Sequence, residues 1–300
     1  MHKKIISICL LTTITLCGCS SRTSFTEDSN KNITTSTSNK PLENNKKDSN
    51  PENKADKITD IKTLDVSNLK STEKNWFYQP KKDGTPSGEP QEILDLINKY
   101  SGYYLGDTSK KVIYLTFDEG YENGYTGKIL DTLKANNVKA AFFVTTPYVK
   151  DNPELIKRMA AEGHLVCNHS ENHPSMAAAA SDPAKFEKEF SGVEKVYEEV
   201  TGKKMPKFFR PPMGKYSEKS LFYTQKLGYK TIFWSFAYGD WDPKKQPTAD
   251  YGKKIIAERT HNGAIVLLHA VSKTNTEILD SVIKDWKSKG YELESLDKLP

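Results

Sequence analysis

The chain has 300 residues, a formal net charge of +5 and four cysteines. The basic excess is small and is not concentrated: residues 1–70 contain 11 Lys and Arg against 8 Asp and Glu, which leaves 33 against 31 for the rest of the chain. This charge balance excludes the strong basic cluster that a nucleic-acid-binding protein needs.

Residues 1–19 have the pattern of a bacterial export signal. Two lysines precede an apolar run at 5–16, which is shorter than the roughly 20 residues of a membrane-spanning helix. The string LCGC at 16–19 resembles the lipobox of bacterial lipoproteins, and this resemblance implies that Cys19 is lipidated after cleavage. Simple cleavage and an uncleaved anchor are the alternatives. Each of the three predicts that the remaining chain is exported from the cytoplasm.

Residues 20–70 are rich in Ser, Thr, Asn, Lys and Asp and have almost no aromatic residues. Such a segment cannot bury enough apolar surface to offset the loss of chain entropy, so the composition predicts a disordered linker. Aromatic residues return at 71–105, where a short amphipathic helical pattern occurs at 93–97. We expect this segment to be an N-terminal extension that packs on a catalytic domain at 106–300.

From residue 111 onward, short β-rich apolar runs alternate with helical patterns. The predicted strands lie at 112–116, 140–145, 164–168, 208–210, 231–234 and 264–268. Helices are predicted at 124–136, 153–163 and 182–202, and further helices begin near residues 217, 248 and 275. This alternation predicts parallel βαβ units, and either a barrel or an open doubly wound sheet fits it.

Chemically reactive side chains follow several of the predicted strands. They are Asp118 and Glu119, His169 and His173, Arg210, Asp240, and His269. In parallel α/β folds the active site lies at the carboxyl ends of the strands, so these side chains are expected to meet at one mouth. Each of them alone also fits a plainer role, such as a turn residue, a core histidine or a salt bridge. Together they suffice for one hydrolytic centre.

Two of these clusters could bind a metal ion. If the segment is helical, His169 and His173 project from the same face, a spacing that binds zinc, although a loop is equally compatible with the neighbouring residues. Of the adjacent acids Asp118 and Glu119, one can act as a base and the other as a metal ligand.

The remaining clusters suit acid–base chemistry. Arg210 precedes two prolines that hold it stiffly, and a fixed guanidinium beside Asp118 would keep that carboxylate ionised. Asp240 can orient His269, as carboxylates do in many acid–base pairs.

At these residues the sequence resembles the polysaccharide deacetylase (NodB homology) family, carbohydrate esterase family 4, over about residues 106–298. The five family motifs occur in order: Thr116-Phe117-Asp118-Glu119-Gly120, His169-Ser170-Glu171-Asn172-His173, Arg210-Pro211-Pro212-Met213-Gly214, Asp240-Trp241 and Leu267-Leu268-His269. The resemblance implies an α/β fold of the distorted (β/α) barrel type, here with an N-terminal extension. It also implies a metal-dependent hydrolase that removes acetyl groups from N-acetylated sugars.

The resemblance implies a role for each acid–base residue. Asp118 would be the general base and His269 the general acid that protonates the leaving amine. Arg210 would orient Asp118, and Asp240 would tune His269.

The resemblance further implies one divalent metal ion, with zinc as the first candidate, bound by Glu119, His169 and His173. Most family members have a second aspartate where this chain has Glu119, whose side chain is one methylene longer, so the metal geometry must adjust. The backbone N–H of Met213, at a position where tyrosine is frequent, would help to form the oxyanion hole. Trp241 would line the substrate site.

A closer resemblance, at 104–126 and around the last two motifs, is to the delta-lactam-biosynthetic de-N-acetylases of spore-forming bacteria. These enzymes act on N-acetylmuramic acid that has lost its peptide, and the freed amine closes onto the lactyl carboxylate to give the muramic lactam of spore cortex. The resemblance implies peptidoglycan glycan strands as the partner, and a place at the outer membrane face, in the cell wall or in the spore envelope. Lys215 and Lys273 follow catalytic motifs and are candidates to meet the lactyl carboxylate.

Three alternatives remain open at this point. One is a deacetylase of chitin-like N-acetylglucosamine, and the second is an esterase for O-acetyl groups. The third, from another class, is a catalytically silent, lipid-anchored wall-binding protein that keeps the fold.

Overall fold

The computed structural model describes residues 60–300, so the predicted export signal and Cys19 lie outside the described residues. The strands are β1 Lys74–Asn75, β2 Gly102–Tyr103, β3 Val112–Glu119, β4 Ala141–Val144, β5 Leu165–Asn168, β6 Phe208–Phe209, β7 Lys215–Tyr216, β8 Lys230–Ile232, β9 Ala264–His269 and β10 Glu292–Glu294. The helices are α1 Gln91–Lys99, α2 Thr126–Ala135, α3 Thr146–Asp151, α4 Pro153–Ala161, α5 Met176–Ala179, α6 Pro183–Thr201, α7 Glu218–Lys226, α8 Ala249–Arg259 and α9 Lys273–Ser288.

One curled sheet organises the described residues. Its strands run in the order β10-β3-β4-β5-β6-β8-β2, and β9 lies on the other edge of β3. Every strand pair in this sheet is parallel. Phe236, shortly after β8, bridges Val266 of β9, so the sheet curves back toward its own start. The predicted distorted (β/α) barrel is therefore confirmed, and the alternative of an open doubly wound sheet is excluded.

Alternate residues of β3 enter two different cores because side chains alternate along a strand. Ile113, Leu115 and Phe117 pack in the layer between the sheet and helices α2, α4, α6, α8 and α9. Val112 and Tyr114 pack inside the curled sheet, with residues of β4, β5 and β9. Burial of each large apolar side chain contributes about 1.5–3 kcal/mol. Because β3 packs against both cores, the same alternation determines which face of the strand Asp118 and Glu119 occupy.

Helix α6 shows why the predicted helices begin and end where they do. The side chain of Asp182 caps the first turn by accepting from Ala184 N–H at 3.0 Å and Lys185 N–H at 3.2 Å. Pro183 takes the first helical position, where its missing N–H is no loss. Gly202 ends the helix with a φ of 68°, a left-handed conformation that glycine adopts without strain.

The strand that carries the first motif is longer than predicted. The sequence pattern placed its end at residue 116, whereas β3 continues to Glu119, pairing with β4 as far as Glu119 and with β9 as far as Asp118. Asp118 and Glu119 are thus strand residues and not members of a turn. The apolar pattern missed this because it stops where the polar site begins.

The predicted linker at 20–70 is wrong for residues 60–70. Ile61, in a 3₁₀ turn at Ile61–Thr63, has no exposed surface and packs with Phe186 and Tyr223. A single isoleucine in a polar segment is a weak signal in the sequence, and the pocket that buries it comes from distant helices. The segment predicted as an extension contributes α1, β1 and β2, and β2 joins the main sheet beside β8.

Candidate active site

A cavity of ≈ 870 Å³ lies at the carboxyl ends of the parallel strands. The predicted site residues that line it are Asp118, His169, His173, Met213, Trp241 and His269. This volume lies within the range of about 300–1,000 Å³ that is usual for ligand sites. The structure therefore brings residues from all five motifs to one cleft, with Arg210 and Asp240 buried behind its lining.

Asp118 and Arg210 form a buried ion pair in this cleft. Arg210 Nη1 donates to Asp118 Oδ1 at 2.8 Å, and Arg210 Nε donates to the carbonyl of Ile232 at 3.2 Å. The guanidinium also lies 4.2 Å from the ring centre of Phe143. Burial raises the pKa of Asp118, but the neighbouring positive charges, led by Arg210, hold that pKa below its usual value. Asp118 is therefore ionised at neutral pH, as a general base must be.

His269 ends β9 opposite Asp118 in the register of the two strands. Its Nδ1–H donates to Asp240 Oδ1 at 2.7 Å, and its backbone N–H donates to Asp240 Oδ2 at 2.9 Å. Burial lowers the pKa of His269, but the carboxylate of Asp240 outweighs burial and keeps that pKa above the usual value. Since Nδ1 is engaged, Nε2 is the nitrogen left for a ligand in the cleft.

His169 and His173 lie on a loop and not on a helix, with ring centres 4.9 Å apart. His169 Nδ1–H donates to the carbonyl of Arg210 at 2.8 Å, so Nε2 carries the lone pair, 3.6 Å from Asp118 Oδ2. Burial lowers the pKa of His169 to about 4. Its imidazole is therefore neutral, and a neutral imidazole with its other N–H fixed by a carbonyl can bind a metal.

Glu119 lies on the opposite face of β3 from Asp118. It aligns with Val144, a residue of the helix-facing core, and it has no exposed surface. One carboxyl oxygen accepts from Thr126 Oγ1 at 3.3 Å, and the other has no hydrogen-bond partner among residues 60–300. Burial, aided by the charge of Glu122, raises the pKa of Glu119 well above its usual value.

The predicted set of three metal ligands is therefore not assembled. Among residues 60–300, no group of three or more His, Cys, Asp or Glu side chains is placed to hold a metal ion. His169 and His173 line the cleft, whereas Glu119 faces the helices because side chains alternate along the strand. These three residues do not fit a zinc site that uses all of them as ligands. The reaction proposed for this protein uses Asp118, the Met213 N–H and His269 instead.

Met213 and Trp241 are large exposed side chains at the mouth of the cleft, 53% and 60% exposed. Met213 has a φ of 56° within the Pro212–Gly214 turn, a conformation that non-glycine residues adopt only when their surroundings hold them there. The ring centre of Trp241 lies 6.1 Å from that of His269, where an aromatic face could pack against a sugar. The predicted oxyanion role of the Met213 N–H and the substrate contact of Trp241 stay predictions.

The two lysines suggested for the lactyl carboxylate are engaged elsewhere. Lys215 Nζ lies 3.1 Å from Glu73 Oε1, and Lys273 Nζ lies 3.5 Å from Glu277 Oε1. The described residues that line the cleft include no lysine or arginine. A substrate carboxylate in this cleft would therefore meet histidines, backbone N–H groups or neutral side-chain donors such as those of Tyr121 and Asn172.

Two asparagines that were not assigned a role hold the site together. Asn275 Nδ2 donates to Asp240 Oδ2 at 2.6 Å, which fixes the carboxylate that binds His269. Asn123 Nδ2 donates to the carbonyl of Val271 at 3.0 Å and ties the loop after β3 to the loop after β9. Asn123 lies within residues 104–126, which carry the closer family resemblance. For Asn275 the sequence predicted only the start of a helix and no role in the site.

Comparisons with known proteins agree with this geometry. The polysaccharide deacetylase family matches residues 105–232. The peptidoglycan-N-acetylmuramic acid deacetylase PdaA of Bacillus subtilis is 44% identical over 225 residues, which cover 75% of this chain and 85% of that protein. A peptidoglycan-N-acetylglucosamine deacetylase of Bacillus cereus is 30% identical over 229 residues, 75% of this chain and 80% of that protein. The solved structure of Bacillus subtilis PdaA, a family 4 carbohydrate esterase, matches with a TM-score of 0.74 at 42% identity and covers 77% of this chain and 98% of that one.

Proposed function

The chain belongs to the polysaccharide deacetylase family, and on that premise we propose that it hydrolyses the N-acetyl group of N-acetylmuramic acid in peptidoglycan. The observation that carries the reaction type is that an ionised carboxylate and a histidine with a raised pKa line the same cleft. Asp118 is held by Arg210, and His269 is held by Asp240. A silent wall-binding protein would have no need of either pair.

The chemistry of these groups accounts for amide hydrolysis. Asp118 takes a proton from a water molecule, whose oxygen adds to the acetyl carbonyl. The backbone N–H of Met213 donates to the oxyanion of the tetrahedral intermediate. The C–N bond then breaks as His269 gives its Nε2 proton to the leaving amine, so acetate and a free amino sugar are released.

Arg210 and Asp240 set the protonation of the two proton-transfer groups, Asp118 and His269. Arg210 is fully buried and disfavours protonation of Asp118 before the water is activated. Asp240 favours the imidazolium form of His269, which must be present when the amine leaves. The pKa of Asp118 is thus lowered from its ordinary value and the pKa of His269 is raised from its own, which separates the base from the acid.

The sugar assignment rests on the relatives. The Bacillus subtilis relative is named for N-acetylmuramic acid and is the more similar of the two peptidoglycan deacetylases compared. Muramic acid freed of its acetyl group can close onto its own lactyl carboxylate, so we further propose that this product leads to the muramic delta-lactam of spore cortex. The absence of a lysine or arginine from the described cleft lining keeps N-acetylglucosamine as the second candidate.

One rate comparison tests the substrate. Purified residues 20–300 are incubated with peptide-free glycan strands, intact peptidoglycan and chitin oligomers, and the loss of acetyl groups is followed by mass spectrometry. We expect peptide-free strands to react fastest, with the acetyl group lost from muramic acid. Faster deacetylation of chitin oligomers would instead identify a general N-acetylglucosamine deacetylase.

We also propose that the protein is exported and held at an outer membrane face through a lipid on Cys19. In the described part of the chain, no helix is long and apolar enough to cross a membrane. Attachment would then depend on the N-terminal signal. A Cys19→Ala variant should leave the membrane fraction, whereas unchanged fractionation and unchanged mass would mean that the apolar run at 5–16 anchors the protein itself.

A further inference from the structure

A short segment ahead of the barrel contacts residues beside three of the five motifs. We call residues 73–78 the strap. Its strand β1 pairs antiparallel with β7, in the register Lys74 with Tyr216 and Asn75 with Lys215. Strand β7 begins directly after Gly214, the last residue of the third motif. The strap therefore lies against the turn that carries Met213.

Trp76 makes the most direct of these contacts. Its backbone N–H donates to the carbonyl of Gly214 at 2.8 Å, and its indole N–H donates to the carbonyl of Trp234 at 2.9 Å. Its ring stacks on Phe233 with ring centres 4.4 Å apart. A side chain at Gly214 would place a Cβ 3.1 Å from the Cβ of Trp76, and Gly214 has a φ of 65°. The turn and the strap are therefore in close contact, and a side chain at position 214 would require a neighbour to move.

Glu73 joins the second and third motifs. Its Oε2 accepts from Ser175 Oγ at 2.5 Å, and its Oε1 lies 3.1 Å from Lys215 Nζ. Ser175 is two residues after His173 and caps α5. Lys215 is two residues after Met213. One carboxylate thus links the loop of the histidines to the oxyanion turn.

Tyr78 connects the other end of the strap to the segment that leads to the fourth motif. Its hydroxyl accepts the N–H of Ala237 at 2.9 Å and also donates to the carbonyl of Ala237. Arg259 Nη1 donates to the same hydroxyl at 3.3 Å. Ala237 precedes Asp240 by three residues, so the strap reaches the second, third and fourth motifs.

We propose that the strap, acting through Glu73 and Trp76, positions the turn whose Met213 N–H stabilises the oxyanion. Met213 has a left-handed backbone conformation that its own side chain disfavours, so its surroundings must hold it. The Gly214 carbonyl that accepts from Trp76 belongs to the peptide unit between Gly214 and Lys215, directly after Met213 and the turn. This hydrogen bond therefore fixes the orientation of the turn. Glu73 and Trp76 are positioning residues that do not touch the substrate. The inference rests on the proposed deacetylase function.

The kinetic test compares three strap variants in purified residues 20–300. Trp76→Ala should lower kcat about 10- to 100-fold, because small displacements of a catalytic donor reduce the rate steeply. Glu73→Ala should lower kcat several-fold, and Trp76→Phe, which keeps the stacking but loses the indole N–H, should fall between Trp76→Ala and the wild type. In each case KM should stay within about twofold, and both limbs of the pH profile should keep their positions.

Phe77→Ala is the matched control, because Phe77 lies on the same strap with 54% of its surface exposed. It should leave kcat unchanged. Thermal unfolding of every variant separates loss of fold from loss of rate. A Trp76→Phe or Glu73→Ala protein that unfolds at a lower temperature but keeps the wild-type kcat while folded would overturn the proposal and leave the strap a purely stabilising element.

Hydrogen exchange gives a readout that does not need activity. Backbone amides of residues 213–216 should exchange faster in Trp76→Ala and Glu73→Ala than in Phe77→Ala, while amides of β3 stay protected. Unchanged protection of residues 213–216 would overturn the strap proposal. If the wild-type protein is inactive on every glycan while the variants still show this exchange pattern, the proposed function is rejected and the contact between strap and turn stands.

Discussion

Two adjacent acidic residues on β3, Asp118 and Glu119, have pKa values that are shifted in opposite directions. Asp118 faces the cleft, where Arg210 donates to it and its pKa is lowered. Glu119 faces the helical layer, where Thr126 is its hydrogen-bond donor, the carboxylate of Glu122 lies nearby and its pKa is raised. Both side chains are buried. Burial alone would therefore neutralise both acids, and the cation on the cleft side decides which of them stays charged.

The difference shows how a strand separates catalysis from structure over a single residue. The backbone alternation sends one side chain toward the substrate and the next toward the core. Partners from distant strands then set the charge, since Arg210 follows β6 and His269 ends β9. The face of the strand, and not the residue type, predicts which acid is used in the reaction.

The largest expected effect is on the cleft face. Asp118→Asn keeps the shape of the side chain but removes the base, so the deacetylation rate should fall toward the upper end of about 10²–10⁴-fold. The rate of acetate release from peptide-free glycan strands measures it. A variant that retains a substantial fraction of the wild-type rate would mean that another group takes the proton from water.

His269→Ala should lower the rate by about 10²–10³-fold, because the leaving amine loses its proton donor. The metal content of the purified protein, measured by elemental analysis, should not change, since His269 is held by Asp240 and not by the loop of the other two histidines. Near wild-type turnover, or loss of a bound ion together with the rate, would contradict the assignment of His269 as the acid.

Asp240→Asn should change the pH profile more than the maximum rate. Activity requires Asp118 ionised and His269 protonated, so it is lost as pH falls through the lowered pKa of Asp118 and as pH rises through the raised pKa of His269. Replacing Asp240 removes the charge that raises the His269 pKa. The alkaline limb of kcat/KM should therefore move to lower pH while the acidic limb stays, and an unmoved alkaline limb would separate Asp240 from this role.

The smallest expected effect is on the helix-facing side of β3. Glu119→Gln should change the deacetylation rate by about twofold or less and leave any bound divalent ion in place, because Glu119 does not line the cleft. His173→Ala is the matched comparison, because His173 lines the cleft. Elemental analysis and activity after exhaustive chelation measure both variants. Loss of metal and activity in Glu119→Gln would show that the strand end turns to bring this acid into the cleft.

The sequence anticipated the position of the site better than its detailed composition. Hydrophobic runs predicted the alternation of strands and helices, and the polar residues after them predicted where Asp118 and His269 would meet. Glu119 was predicted as a metal ligand from the family resemblance, and the apolar pattern, which stops at residue 116, gave no signal against that role. Had β3 been extended to residue 119, simple alternation would have placed Glu119 on the other face from Asp118.

What the sequence determined by itself is what depends on neighbours along the chain: the period of strands and helices, the ends of α6, and the position of the candidate acid–base residues after the strands. The tertiary structure decided the rest, because it depends on partners far along the chain. Ile61 is buried by distant helices, Asn275 lies 35 residues beyond the Asp240 that it holds, and Trp76 binds a turn near residue 214. The charge of a buried acid is likewise set by the groups that folding brings beside it, so two adjacent acids in the sequence have pKa values that are shifted in opposite directions.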